Sequence, residues 1–230
     1  MAIITISRGS YSRGKEVAER VAQRLGYSCI SRDTVIGDCC AFDVPEVKLI
    51  RAIQNAPSIL ERFTGGKKRF LTCFKATLLE HFQEDDVVYH GLAGHFFVQN
   101  VSHVLKVRIL ADMEDRVKLE MQREGISKGE ALRILKNDDE ERRKWSLHTF
   151  GIDTWNPALY DLVLYIKKIT AEDAADLICQ TVALKSFQTT PESQRAMDNL
   201  TVAARVTAAL LPLKPEAEVF ADDGAVRIEI

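Results

Sequence analysis

The chain is poor in the features that mark secreted, membrane-spanning or nucleic-acid-binding proteins. Only five cysteines occur in 230 residues: Cys29, Cys39, Cys40, Cys73 and Cys179. Their number is odd, no C-x-x-C is present and Cys39 and Cys40 are adjacent, which suits neither a zinc knuckle nor a secreted disulfide frame. Reduced, mostly buried thiols are expected. No apolar run approaches the ~18 residues needed to cross a bilayer, and the first residues enter a strand pattern without a charged leader. A cytoplasmic protein without a membrane span is the expectation. Charge is nearly balanced, with 31 Lys and Arg against 33 Asp and Glu and a formal net charge of −2. There is no general field for a polynucleotide, so no nucleic-acid polymer is expected as partner and any anion site must be local. The 46% hydrophobic share is ordinary for a packed core, and the length allows one large α/β domain with a small appendage.

What is present begins at the first line. The apolar run Ile3-Ile4-Thr5-Ile6 flows into Gly9-Ser-Tyr-Ser-Arg-Gly14-Lys15, and a helical pattern follows at once. A strand, a glycine-bounded loop carrying lysine and a helix form a seat for phosphate. Glycines let the chain curl, so that successive N–H groups and the helix N-terminus aim at one anionic spot, and Lys15 adds a mobile cation. The Ser or Thr that normally follows such a lysine, and whose hydroxyl holds magnesium, is here Glu16. A carboxylate there repels phosphate unless it turns away or meets the metal.

The rest of the chain alternates. Val17, Val21 and Leu25 are spaced as one helix face, ending at Gly26, and a short strand spans Ser28 to Ile30. Residues 32–83 are helical in pattern, with breaks at Pro45, Pro57 and Gly65-Gly66 and a basic stretch to Arg69 that offers a second ligand site. Strands are expected at Asp86–Tyr89, Val104–Leu110 and Tyr160–Ile166, with helices from Asp112 or Glu114, from Ser127, and from Ala171 to Lys185. Such alternation predicts a three-layer α/β domain with a parallel sheet. The tail differs: an amphipathic helix around Leu200–Leu211, two prolines, and two strand-like runs flanking Asp222-Asp-Gly224, a hairpin signal. That tail buries too little to stand alone and is expected to dock on the main domain or on another copy.

Phosphoryl transfer requires positive groups around the moving phosphate. Arg116, Arg123, Arg133, Arg142 and Arg143 decorate two consecutive helices beyond the fourth strand, interleaved with Asp138-Asp-Glu-Glu141. Taken alone, such a stretch is more often a solvated helix with i,i+4 pairs than a lid.

The segments Ile4-Thr-Ile-Ser-Arg-Gly9 to Lys15, Cys29-Ile-Ser-Arg-Asp33, Val87-Val-Tyr-His-Gly91 and Val107-Arg-Ile-Leu-Ala-Asp112 with Arg116 together resemble the cytidylate kinase-like branch of the nucleoside monophosphate kinases, over residues 1 to about 185. The resemblance implies a P-loop NTPase fold with a five-stranded parallel sheet, to which a small C-terminal helix-hairpin appendage is attached. It implies ATP, Mg2+ and a pyrimidine monophosphate acceptor, CMP or dCMP. By the same resemblance Gly9, Ser10, Ser12, Arg13, Gly14, Lys15 and Glu16 stand at the donor phosphates. Lys15, Arg142 and Arg116 neutralise the transferring group, and Ser31, Arg32, Asp33, His90 and Gly91 stand where the acceptor enters. The chain is thereby divided into a kinase-like domain, 1–187, a connector, 188–198, and a tail, 199–230, that resembles the start of a BON-type module.

Departures from the family pattern leave a second reading open. Cytidylate kinases usually carry Asp-Gly-Arg-Asp after the third strand, where this chain has His90-Gly91-Leu92-Ala93, and Asn137 and Glu140 stand where lid arginines are frequent. Either an ATP-dependent nucleoside monophosphate kinase or a nucleotide-binding regulatory protein with a degenerate site follows. The mode of holding Mg2+ is left undetermined. His95 and His103 are expected to be structural, and Trp145, Trp155, Phe150 and Tyr160 to belong to the core more than to a base-stacking platform.

Overall fold

The computed structural model describes residues 2–39, 66–91 and 93–230. Five strands, β1 (Ile3–Arg8), β2 (Ser28–Ser31), β3 (Val87–His90), β4 (Val104–Ala111) and β5 (Leu162–Ile166), form one parallel sheet in the order β2-β3-β1-β4-β5. The first strand is thus central. Parallel strands need long crossovers, and helices supply them on both faces. This is the three-layer α/β architecture that the alternation predicted.

Side chains of β1 point to opposite faces in turn, and each face has its own core. Ile4 and Ile6 pack with Val17, Ala18 and Val21 of α1 (Gly14–Leu25) and with Ala174, Ala175 and Ile178 of α6 (Ala171–Val182). Ile3 belongs to the other face, with Val35 of α2 (Arg32–Asp38) and Leu78, Leu79 and Phe82 of α3 (Gly66–Gln83). Met197 and Ala204 of α7 (Pro191–Leu210) complete that cluster. Two further helices, α4 (Met113–Glu124) and α5 (Lys128–Phe150), follow β4 and lie beyond the C-terminal strand ends. Residues 40–65, with the breaks expected at Pro45 and Pro57, and Leu92 fall outside the described residues.

Several expectations are corrected. The stretch 188–198, read as a connector, is mostly helix: α7 starts at Pro191 with Thr190 as cap, its hydroxyl accepting from the Ser193 N–H, and Pro at the first helical position. The signal was present in Thr-Pro-Glu-Ser, since proline at N1 costs no hydrogen bond. The tail helix docks on α3, and the Thr201 hydroxyl donates to the Leu79 carbonyl at 3.2 Å. Cys39 and Cys73, expected as thiols, form a disulfide with Cα atoms 6.1 Å apart. They are 34 residues apart in sequence, and only the packing of α2 against α3 brings them together. Cys29 is exposed and Cys179 half-buried, both free, while Cys40 lies outside the described residues. The basic stretch at the start of α3 is partly engaged, Lys68 donating to the Pro215 carbonyl. Among the described residues no helix is long and apolar enough to cross a membrane.

Because Met197 is fully buried at the contact between α7 and α3, Met197→Ala is expected to lower stability by about 2–4 kcal/mol in urea unfolding. Leu213→Ala, at a side chain 76% exposed, is expected to change it by less than about 0.5 kcal/mol.

Candidate phosphate-binding site

The loop after β1 opens where the strand order reverses between β3 and β4, the place where open α/β sheets leave a crevice. Its curl comes from unexpected residues. Tyr11 and Arg13, with φ of 55° and 61°, hold the left-handed conformation, at a cost of roughly 1–2 kcal/mol each for a side chain with Cβ. The two glycines serve close approach. A Cβ on Gly14 would lie 2.7 Å from the Arg8 side chain, and one on Gly9 would lie 3.2 Å from Asp139 Oδ1.

Helix α1 begins at Arg13 without a side-chain cap. In contrast, Ser31, Asp112, Ser127, Thr170 and Thr190 close α2, α4, α5, α6 and α7. No backbone N–H from Gly9 to Arg13 donates to a backbone carbonyl among the described residues. Unpaired amides at a helix N-terminus carry a partial positive charge and suit an anion.

Helices α4 and α5 lie over this loop and meet it at Ser10. The Ser10 carbonyl accepts from Arg116 Nε at 2.7 Å, and its hydroxyl donates to Asp138 at 3.0 Å while accepting from Arg142 Nη2 at 2.9 Å. Arg142 also donates to the Arg8 carbonyl at 3.2 Å. Arg116, buried, grips Asp139 with both guanidinium nitrogens at 2.8 and 2.9 Å. Such a fork is the geometry with which arginine holds carboxylate or phosphate. Carboxylates of the chain therefore sit against the groups expected to take phosphate.

Positive charge is crowded here. Burial, then repulsion from Arg32 and Arg8 against the attraction of Asp138, pull the Arg142 guanidinium down to about 10. Arg8 is lowered as well, first by burial and then by Arg32, and its buried Nε meets no acceptor among the described residues. Arginine clustering of this kind, desolvated and only partly matched by acid, favours an incoming anion.

The remaining expected residues divide. Lys15 is free to move, with a side chain 66% exposed and Nζ 3.7 Å from Glu19. Glu16 is engaged by arginines on both sides: it accepts from Arg20 at 3.0 Å and lies 3.9 Å from Arg13 of the loop, while Arg20 also pairs with Glu172 of α6. Ser12 donates to the Gly9 carbonyl at 3.0 Å and so closes the loop on itself. On the acceptor side Ser31 is occupied as the cap of α2, accepting from the Thr34 N–H at 3.1 Å, and Arg32 pairs with Asp33 at 3.0 Å. His90 is buried at the end of β3, its Nδ1 without a partner among the described residues. Burial, then the charges of Arg8 and Lys15, lower it to about 4, so the imidazole is neutral at pH 7. Gly91 is required by space: a Cβ there would meet the Tyr89 hydroxyl at 2.5 Å and Arg32 Cβ at 2.9 Å.

A cavity of about 260 Å³ opens between the loop and the C-terminal end of β4, lined by Arg8, Gly9, Arg108, Arg116, Arg142 and Trp155 among others. Arg108 was not foreseen as a lining residue, and Trp155, expected in the core, is instead half-exposed at the cavity wall. Arg108 donates to the Thr154 carbonyl and the Tyr160 hydroxyl, and Trp155, half-exposed, lies under Arg143 with the guanidinium carbon 4.3 Å from its ring centroid. The one available signal was the alternation of Arg108 with apolar residues in β4. Arg143 itself is held by Asp153 at 3.0 and 2.7 Å and Arg123 by the Tyr11 hydroxyl at 3.1 Å, while Arg133 is exposed. Trp145 and Phe150 pack with Phe96, as expected of core aromatics.

Residues 3–168 match the model of the cytidylate kinase-like family. The chain belongs to that family. Among curated relatives, a cytidylate kinase of Archaeoglobus fulgidus is 27% identical over 187 residues, 80% of this chain and 97% of the relative. One of Sulfolobus acidocaldarius is 26% identical over 186 residues, 80% of this chain and 96% of the relative. Among solved structures, an uncharacterized protein from Eubacterium ventriosum superposes with a TM-score of 0.61 at 18% identity, covering 79% of this chain and 98% of that one, which speaks for the fold. Membership supports a nucleotide kinase with ATP as substrate, and the family usually employs magnesium.

The buried histidines generate a pH prediction. His90, lowered to about 4, His95, lowered to about 3, and His103, also lowered, are held neutral chiefly by burial. Below about pH 6.5 the unfolded chain takes protons that the native state refuses, so stability is full above that value and falls towards pH 4. Replacing His90 by Gln is expected to reduce the loss between pH 6.5 and 4 by roughly 1–3 kcal/mol in urea unfolding. An unchanged pH slope would contradict the assignment.

Proposed function

We propose that this chain transfers the terminal phosphoryl group of ATP to a nucleoside monophosphate, CMP or dCMP, with the donor phosphates on the loop 9–14 and the acceptor beside Ser31, Arg32, Asp33, His90 and Gly91. One observation carries the reading: Arg8, Arg32 and Arg142 repel one another in a desolvated cluster beside an uncapped helix N-terminus. An incoming anion of high charge satisfies both features at once.

The chemistry is positioning and electrostatics. An oxygen of the acceptor phosphate attacks the γ-phosphorus of ATP. The bond to the bridging oxygen breaks, and its electron pair leaves with ADP. Loop amides hold the donor, Lys15 swings in from solvent as a compact cation, and Arg142 and Arg116 face the equatorial oxygens of the moving group. For that, the incoming phosphates displace Asp139 from Arg116 and Asp138 from Ser10. His90, neutral, offers a hydrogen bond at the place where the family's acid stands. The desolvated arginines around it replace the attraction lost with the family's missing arginine.

Magnesium fits the residues present less well. Glu16 is committed to Arg20 and Arg13, the strand-end acid is His90, and no group of three His, Cys, Asp or Glu among the described residues is arranged for a metal. Magnesium bound mainly through phosphate oxygens and water needs few protein ligands, so no step is assigned to a protein-held metal.

Release of ADP from ATP across CMP, dCMP, UMP and AMP is the test, with turnover highest for CMP or dCMP. Lys15→Met is expected to lower kcat/KM by roughly 10²–10³-fold, as does loss of a donor to transition-state charge, with unchanged thermal unfolding of the free protein. Thermal stabilisation by ATP without ADP release under any acceptor would replace catalysis by binding. Equal turnover in the Lys15 variant would overturn the site.

A further inference from the structure

The C-terminal hairpin ends in an open sheet edge whose side chains are complementary to themselves. Strands β6 (Glu218–Asp222) and β7 (Ala225–Glu229) pair antiparallel through Asp223 and Gly224, both at positive φ. In a two-residue hairpin of this kind the residues flanking the turn, Asp222 and Ala225, are a hydrogen-bonded pair. By alternation, Ala225, Arg227 and Glu229 direct their backbone groups to β6. The backbone groups of Val226 and Ile228 face the other way. Strand β6 leans on α7, where Asn199 donates to Asp222 at 3.5 Å and Arg195 lies 3.5 Å from Asp223. Strand β7 pairs with no other strand among the described residues, and each of its residues is exposed, Val226 by 40% and Ile228 by 44%. A row of unpaired N–H and C=O groups bordered by apolar side chains is a template for another strand.

The charges choose the partner. Arg227 and Glu229 lie on one face, Val226, Ile228 and Ile230 on the other. Arg227 Nε is 3.4 Å from Glu229 Oε1 of its own strand and its guanidinium stacks on Phe220, both pairs exposed and open to exchange. If two copies of β7 pair antiparallel about an axis through Ile228, then Ile228 faces Ile228, Val226 faces Ile230 and each Arg227 faces Glu229 of the other chain. The outward backbone groups of β7 meet one another in the same register. Moving the axis to Arg227 sets arginine on arginine, and moving it to Glu229 sets glutamate on glutamate, both unfavourable across a ladder. Antiparallel pairing thus has one register in which hydrogen bonds, apolar contacts and charges agree. We propose that β7 is a self-association edge, and that two chains join through it into a four-stranded antiparallel sheet about Ile228.

Charge exchange in the full-length chain tests this by sedimentation equilibrium. The wild type is expected to be dimeric. Arg227→Glu and Glu229→Arg, each with unchanged thermal unfolding of the monomer, are expected to raise the dimer dissociation constant about tenfold or more, since like charges replace opposite ones at two symmetry-related pairs. An equimolar mixture of the two variants restores complementary pairs and should return to dimer, as should the doubly exchanged chain R227E/E229R. A monomeric wild type, a dimer indifferent to either single change, or failure of both rescues overturns the proposal. It is independent of the phosphate site, so kinase activity of any level leaves it standing.

Discussion

Positive charge held out of water at the end of the central strand is the constraint around which this molecule is arranged. Arg8 leaves β1 into the sheet's crevice with its Nε unpaired, and Arg142 reaches it from α5. Arg32 enters from the start of α2, near enough to lower both. Nothing in folding favours such a grouping, because desolvation and mutual repulsion both oppose it. Its neighbours limit the cost. Asp138 and Asp139 lend carboxylates, the Arg8 and Ser10 carbonyls accept guanidinium protons, and Gly14 yields the space in which the Arg8 stem packs. The region is balanced by groups of the chain itself.

The sheet makes this arrangement possible. Ile3, Ile4 and Ile6 are buried on both faces of the central strand, so the loop that follows starts from a rigid base. Helix α1, against the same core, presents its uncapped N-terminus to the loop. The ion pairs from Glu16 through Arg20 to Glu172 tie α1 to α6. These pairs are exposed and contribute little to stability. Their consequence is directional: the Glu16 carboxylate is held towards Arg20.

The fold was largely legible in the sequence because its signals are local. Strand-length apolar runs, glycines after helices and the Ser127 cap are read within a few residues, and five parallel strands between helices follow from their order. The phosphate loop was legible in part. Its position came from the strand, loop and helix order, whereas its conformation did not: the left-handed residues are Tyr11 and Arg13, and Gly14 serves contact with a side chain six residues earlier. Arg116 and Arg142 could be nominated by resemblance, but their meeting with Asp139, Asp138 and Ser10 spans helices and loop, which spacing does not reveal. The Cys39–Cys73 pair, the docking of α7 on α3 and the entry of Trp155 into the cavity wall are hidden for the same reason.

From sequence alone came the alternation of elements, the phosphate-type loop, the kinase-like resemblance and the hairpin at Asp223-Gly224, since each is encoded in neighbouring residues and their periodicity. Tertiary structure alone decided where charge accumulates. Glu16 faces Arg20 and Arg13, His90 is buried and neutral, Asp139 holds Arg116 and Asp138 holds Ser10. Electrostatic free energy depends on distance and burial in three dimensions, and neither quantity is written in the order of residues along a chain.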